Sequence, residues 1–188
     1  MRSSLLMSPA PTGPTPNRLT FVRVSMWYAL ALVVAMACGA ALAIAVGERV
    51  QFVRDESATL DPAAVFAFIV RENGRLWLYI CLGVVSFGAA GFVALIGNGF
   101  RFGMDAALVA QSAPAELPFL LPHATVEFAS FTLAAAACQY LGLLLLELLV
   151  FDRRRAPVSV GVHGLMWSAC LLLLAAFVET VSRIARPS

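Results

Sequence analysis

Apolar positions in this chain do not alternate with polar ones; they run together in long blocks. Residues 26–46, 76–100 and 156–178 contain no Asp, Glu, Lys or Arg. A fourth block, 128–146, is bracketed by Glu127 and Glu147, with apolar sequence continuing past each. A helix needs about 20 consecutive apolar residues to cross the hydrocarbon of a bilayer, so these blocks predict four spans. The fold class that follows is all-α, a polytopic transmembrane helix bundle. It forms one domain over residues 25–188, because no intervening loop is long enough to hold a second core. Residues 1–24 are polar and broken by Pro9, Pro11, Pro14 and Pro16, and are expected to form a disordered tail. The block at 26–46 exceeds the apolar stretch of a usual signal peptide and reads as an uncleaved anchor.

Two stretches between the blocks are less regular. Residues 47–75 carry both signs of charge, from Glu48 to Arg75. Within them Asp61-Pro62 is a helix start, an N-cap followed by Pro at the first helical position. Residues 63–70 after it are either a short interfacial helix or an ordered loop. Residues 103–122 contain Asp105, Gln111, Pro114, Glu116, Pro118 and Pro122. They are read as a re-entrant hairpin or a fifth, broken span, which gives a total of 4–5 spans. Five spans place the short Arg153-Arg154-Arg155 loop on one side with Arg2, Arg18, Arg23 and Arg101. The positive-inside rule then makes that side, and the N-terminus, cytoplasmic.

Small residues add detail to the second block. Gly83, Gly88 and Gly91, followed by Gly99 and Gly103, are the kind that let membrane helices approach closely, so they are assigned to helix packing. Composition agrees with the spans: 61% of the residues are hydrophobic and 13% charged, against about 25% charged in a soluble domain. The net charge is +2, and every basic residue is Arg. No basic block is interleaved with aromatics, so no nucleic-acid partner is expected. Cys38, Cys81, Cys138 and Cys170 fall one per block without a C-x-x-C pair and read as small packing residues. No cofactor is expected. The expected partners are membrane lipids and either another membrane protein or further copies of the chain.

Ionisable groups inside membrane spans are costly, and each is a functional candidate. The sequence Leu121-Pro122-His123-Ala124-Thr125-Val126-Glu127 sets Pro122 in the first turn of the following helix. It puts His123 and Glu127 at i, i+4 on one helix face. Such a pair is able to tie helices together, move protons or contribute to a metal site. H-x-x-x-E is not a zinc motif and no second His motif completes one, so no metal is assigned. The last block runs antiparallel to 128–146 and returns Glu179 to the side of His123 and Glu127. In a five-span chain Arg71, Asn73 and Arg75 join this cluster; in a four-span chain Asn98 does. These four are the candidate substrate or partner contacts, and His123, Glu127 and Glu179 the candidate acid–base groups. No G-x-S-x-G, H-E-x-x-H or Walker motif is present, which leaves familiar hydrolase and NTPase chemistry without support.

Asn73, Asn98-Gly99-x-x-x-Gly103, Leu121-Pro122-His123-x-x-x-Glu127 and Phe177-Val178-Glu179 together resemble the stage II sporulation protein M family over roughly residues 72–182. Ala124 departs from the glycine that usually follows the His, and Gly142 falls slightly late. The resemblance implies a multi-pass protein of the bacterial inner membrane. The family's namesake works in a complex with a peptidoglycan-degrading enzyme and a partner during engulfment in spore formers, while relatives occur where no spores form. Three functions therefore stay open: a scaffold or export/gating component of a membrane complex, a membrane-embedded acid–base enzyme acting on a lipid or peptide, and a proton-coupled transporter subunit.

Overall fold

The computed structural model describes residues 18–46, 61–151 and 157–185. They form five α-helices: α1 (Arg18–Val46), α2 (Pro62–Cys81), α3 (Ala89–Ser112), α4 (Leu117–Phe151) and α5 (Val158–Ile184). One-turn 3-10 helices at Leu82–Val84 and Pro114–Glu116 join α2 to α3 and α3 to α4. Residues 18–24 belong to α1, which shortens the expected tail. The remainder of that tail lies outside the described residues, as do the charged stretch 47–60 and the Arg153–155 loop.

Side-chain contacts fix the direction of every helix. Tyr28 of α1 meets Gly88 and Phe92, and Gly103 meets Met36, so α1 and α3 run in the same direction. Gly142 of α4 faces Val84, Ala135 faces Gly91 and Phe128 faces Phe102, so α4 runs opposite to α3. Gly161 and Gly164 of α5 face Leu141 and Ala137 of α4, so those two helices are antiparallel. Trp77 of α2 bonds Ser168 of α5, while Ile80 meets Gly91 of α3. The chain therefore passes through the bundle five times in alternating directions. The start of α1, the turn between α2 and α3, the end of α4 and the start of α5 share one end, called proximal here. The start of α2, the end of α3, the start of α4 and the end of α5 share the distal end.

This arrangement revises the reading of the second apolar block. Residues 76–100 are not one span; the chain reverses inside them. Gly88 has φ +96° and Phe87 φ +53°, the left-handed conformation that ends a helix and favours glycine. Gly88 N–H donates to the Gly83 carbonyl at 2.7 Å, and Ser86 Oγ accepts from Ala90 N–H at 3.0 Å. A side chain at Gly88 would meet Gln139 at 2.8 Å, so the turn also needs glycine for space. Residues 103–112 are the end of α3, and 117–122 the start of α4. The stretch 103–122 is thus a helix–turn–helix junction, not a span of its own, and Arg101 lies at the middle of α3.

Four helical segments among the described residues are long and apolar enough to cross a membrane: Thr20–Val46, Ala89–Ser112, Pro114–Val150 and Val158–Ile184. α2 has 20 residues but carries Arg71, Glu72 and Arg75. Its start is as the sequence predicts, with Asp61 Oδ1 accepting from Ala63 N–H at 3.0 Å and Pro62 first in the helix. It continues past residue 70 as one packed helix to Cys81, neither a short interfacial helix nor a loop. α4 is central: Ala134, Ala135, Ala136, Ala137 and Cys138 are all 0% exposed. Only small residues allow four helices to surround one at that level. Pro122 sits in the second turn of α4 instead of its first, because Leu117 already begins the helix.

Candidate functional site

The polar residues of the distal half gather where α2, α4 and α5 meet. Glu127 of α4 is half-buried. Asn73 of α2 lies against it, and the Glu179 carboxylate of α5 is close enough for the two acidic groups to feel each other. The Asn73 Nδ2 atom is buried and reaches no partner at full hydrogen-bond geometry among the described residues. Glu179 is buried and accepts from both Nε and Nη2 of Arg183, the Nε bond measuring 3.0 Å. His123 is also buried; its Nδ1–H donates to the Phe119 carbonyl at 3.0 Å, one turn back along α4. That bond leaves Nε2 as the nitrogen that accepts in the neutral ring.

The remaining predicted contacts are placed differently. Arg71 and Arg75 flank Glu72 and both donate to its Oε1, at 3.1 and 3.0 Å. All three side chains are substantially exposed, so they form an outward face on α2 beside Asn73. Asn98 is half-buried on α3, ten residues past the proximal turn and about 15 Å along the axis from it. It neighbours Gly99, against which Leu32 and Ala35 of α1 pack. Among the glycines, Gly83 faces Cys138, Gly91 faces Ala135, and Gly103 faces the Met36 backbone. A Cβ at Gly83 would sit 3.1 Å from the Cβ of Cys138.

Several contributing residues escape a reading by motif. Arg183 was legible as the i+4 partner of Glu179 on one helix face. Trp77, Ser130 and Ser168 carried no such signal. Trp77 Nε1–H donates to Ser168 Oγ at 2.6 Å, and Ser130 and Ser168 exchange bonds to each other's carbonyls at 2.8 and 3.0 Å. This polar tie joins α2, α4 and α5 one to two turns below Glu127. Small hydroxyls scattered through apolar helices reveal such pairing only once the helices are placed. Among the described residues no group of three His, Cys, Asp or Glu side chains is arranged to hold a metal ion.

The fold and the cluster define a class: a polytopic helical membrane protein with two acidic groups, Glu127 and Glu179, beside Asn73 and Arg183 on one half of the bundle. The chain belongs to the family described as stage II sporulation protein M, which it matches over residues 21–182. Neither the curated proteins nor the solved structures contain a match to it.

Proposed function

We propose that this protein is a non-enzymatic component of a membrane complex, a scaffold or gating part of the bacterial inner membrane that works by assembling with another membrane protein or with further copies of itself. One observation supports this reading above the others: the ionisable groups of the cluster are engaged within the bundle. His123 is bonded to its own helix, Glu179 to Arg183, and Glu127 lies against Asn73. The contact of Asn73 with Glu127 runs from α2 to α4, while the other two hold their groups within α4 and α5, and removing one partner leaves the other unsatisfied, which costs about 1–3 kcal/mol. The outward face of Arg71, Glu72 and Arg75 is then the polar surface offered to a partner. The proximal end, with Arg18 and Arg23 in α1 and Arg153–155 between α4 and α5, is assigned to the cytoplasm by the positive-inside rule.

Affinity purification of the full chain from its own membranes, followed by mass spectrometry, tests the assembly. The expected result is a defined set of membrane partners, or a homo-oligomer, retained by Glu127→Gln and weakened by a triple Arg71, Glu72, Arg75 substitution to Ser. A purely monomeric wild-type protein would overturn it. The nearness of Glu127 to Glu179 favours one alternative, in which a shared proton is passed to a substrate or across the bundle. That alternative gains if Glu127→Gln is abundant, folded and partnered, yet without function in the cell.

A further inference from the structure

The end of α2 sits against the buried centre of α4. Ile80 meets Gly91 of α3, and Gly91 in turn meets Ala135 of α4. Three residues further along α4, Cys138 faces Gly83, at whose position a Cβ would stand 3.1 Å from the Cys138 Cβ. Gly142, one turn beyond, faces the Val84 carbonyl. Cys81 is the last residue of α2 and lies between Ile80 and Gly83, so these contacts bracket it beside Cys138. The two thiols lie against each other, close enough to interact. Thiols in contact point toward one another, which is the orientation a disulfide requires.

The pair is unequal in access. Cys138 is 0% exposed, whereas Cys81 is half-buried. Leu78 and Val85, about one turn to either side of Cys81, are exposed, and so is Leu82 next to it. The way to Cys81 therefore leads through hydrocarbon side chains on an apolar surface, and a reagent that takes it is lipid-soluble. An accessible thiol with a second thiol shielded behind it is the arrangement in which one sulfur is oxidised and the other resolves it. Cys38 and Cys170 are exposed but stand on two other helices, α1 and α5.

We infer that Cys81 and Cys138 form a reversible oxidation site that reacts with lipid-soluble hydroperoxides and closes to a disulfide between α2 and α4. The Cys81 sulfur attacks the O–O bond, gains one oxygen as a sulfenic acid and releases an alcohol. The Cys138 sulfur then bonds to the Cys81 sulfur, and the sulfenic hydroxyl leaves as water with the Cys138 proton. Two thiols and one hydroperoxide thus give one disulfide, one alcohol and one water, the two sulfurs supplying the electrons that cleave the peroxide. The bond fixes the proximal end of α2, the helix that carries Asn73 and the outward Arg71, Glu72 and Arg75, onto α4.

Cumene hydroperoxide added to the full chain in nanodiscs tests this, read by intact-protein and peptide mass spectrometry. The wild type is expected to lose two hydrogens in most chains, to yield a peptide pair joining Cys81 to Cys138, and to recover both thiols in dithiothreitol. Cys138→Ala should instead accumulate a dimedone-trapped sulfenic acid at Cys81, and Cys81→Ser should leave Cys138 reduced. The wild-type result stands without either variant, so a folding defect in one of them does not decide the matter. A wild type in which Cys81 and Cys138 stay reduced, Cys81 stops at a trapped sulfenic acid, or the cross-link involves Cys38 or Cys170 would each overturn the inference. So would oxidation of Cys138 in Cys81→Ser as fast as in the wild type.

Discussion

At the scale of single residues the bundle depends on positions where only hydrogen fits. Gly103 faces the Met36 backbone, and Gly97 on the same helix has open space around it. Gly103→Ala is expected to push α1 off α3 and lower stability by about 3 kcal/mol. Gly97→Ala should be neutral or slightly stabilising, since Ala is the better helix former by about 1 kcal/mol. Thermal unfolding of the two variants in one detergent compares them, and equal midpoints would contradict the packing described. The sequence made His123, Glu127 and Glu179 legible because charged groups are conspicuous in apolar blocks and an antiparallel return brings the last of them back. Asn73 was legible only conditionally, since its place depended on the number of passes. The serine pair was not legible at all: a hydroxyl in a membrane helix satisfies itself on its own backbone as readily as on a neighbour.

At the scale of elements, the junctions decide the architecture. The apolar block at 76–100 hid a reversal because the turn carries apolar side chains, Leu82, Val85 and Phe87, on its exposed surface; its only local sign is Ser86-Phe87-Gly88, and glycines elsewhere in the block carry the same letter for a different reason. Gly88→Ala combines a left-handed backbone with a 2.8 Å approach to Gln139, so it should destabilise the α2–α3 hairpin by more than about 1 kcal/mol. Limited proteolysis should then cut near residues 82–88 faster than in the wild type; an unchanged rate would show that the turn tolerates a side chain. The tie through Ser168 reports on the packing of α2 against α5, one turn before its end at Cys81. Ser168→Ala removes the acceptor of Trp77 and the bond that Ser168 Oγ donates to the Ser130 carbonyl, while Ser130 Oγ keeps the Ser168 carbonyl; interhelical bonds of this kind average about 0.6 kcal/mol with a maximum near 1.7. A loss in that range, with a shifted Trp emission, is the expected outcome. No change in emission would mean that Trp77 is held by packing alone.

At the scale of the whole molecule, the start of α1 and the end of α5 lie at opposite ends of the bundle, and five crossings would set them on opposite sides of the membrane. Single cysteines placed at Arg154 and at Ala185 in a Cys-free background should respond oppositely to an impermeant thiol reagent in intact cells, Arg154 protected and Ala185 labelled. Labelling of Arg154 with protection of Ala185 would mean that α2 does not cross.

The charges of α2 have one more consequence, for how the chain enters the bilayer during synthesis. Each Arg near the middle of a lone helix raises the insertion free energy by about 2.5–3.5 kcal/mol, and α2 carries Arg71 and Arg75 with Glu72 between them. Emerging from the ribosome alone, it has no reason to leave water for lipid. Its partners in the finished bundle, Ile80 against Gly91 of α3 and Trp77 against Ser168 of α5, are all translated later. The second helix therefore waits for the third, and the two enter as a pair. The last helix, which brings Ser168 and Arg183, closes the assembly. A nascent chain halted after residue 85 should leave α2 outside the membrane, whereas one extended past Ser112 should take it in.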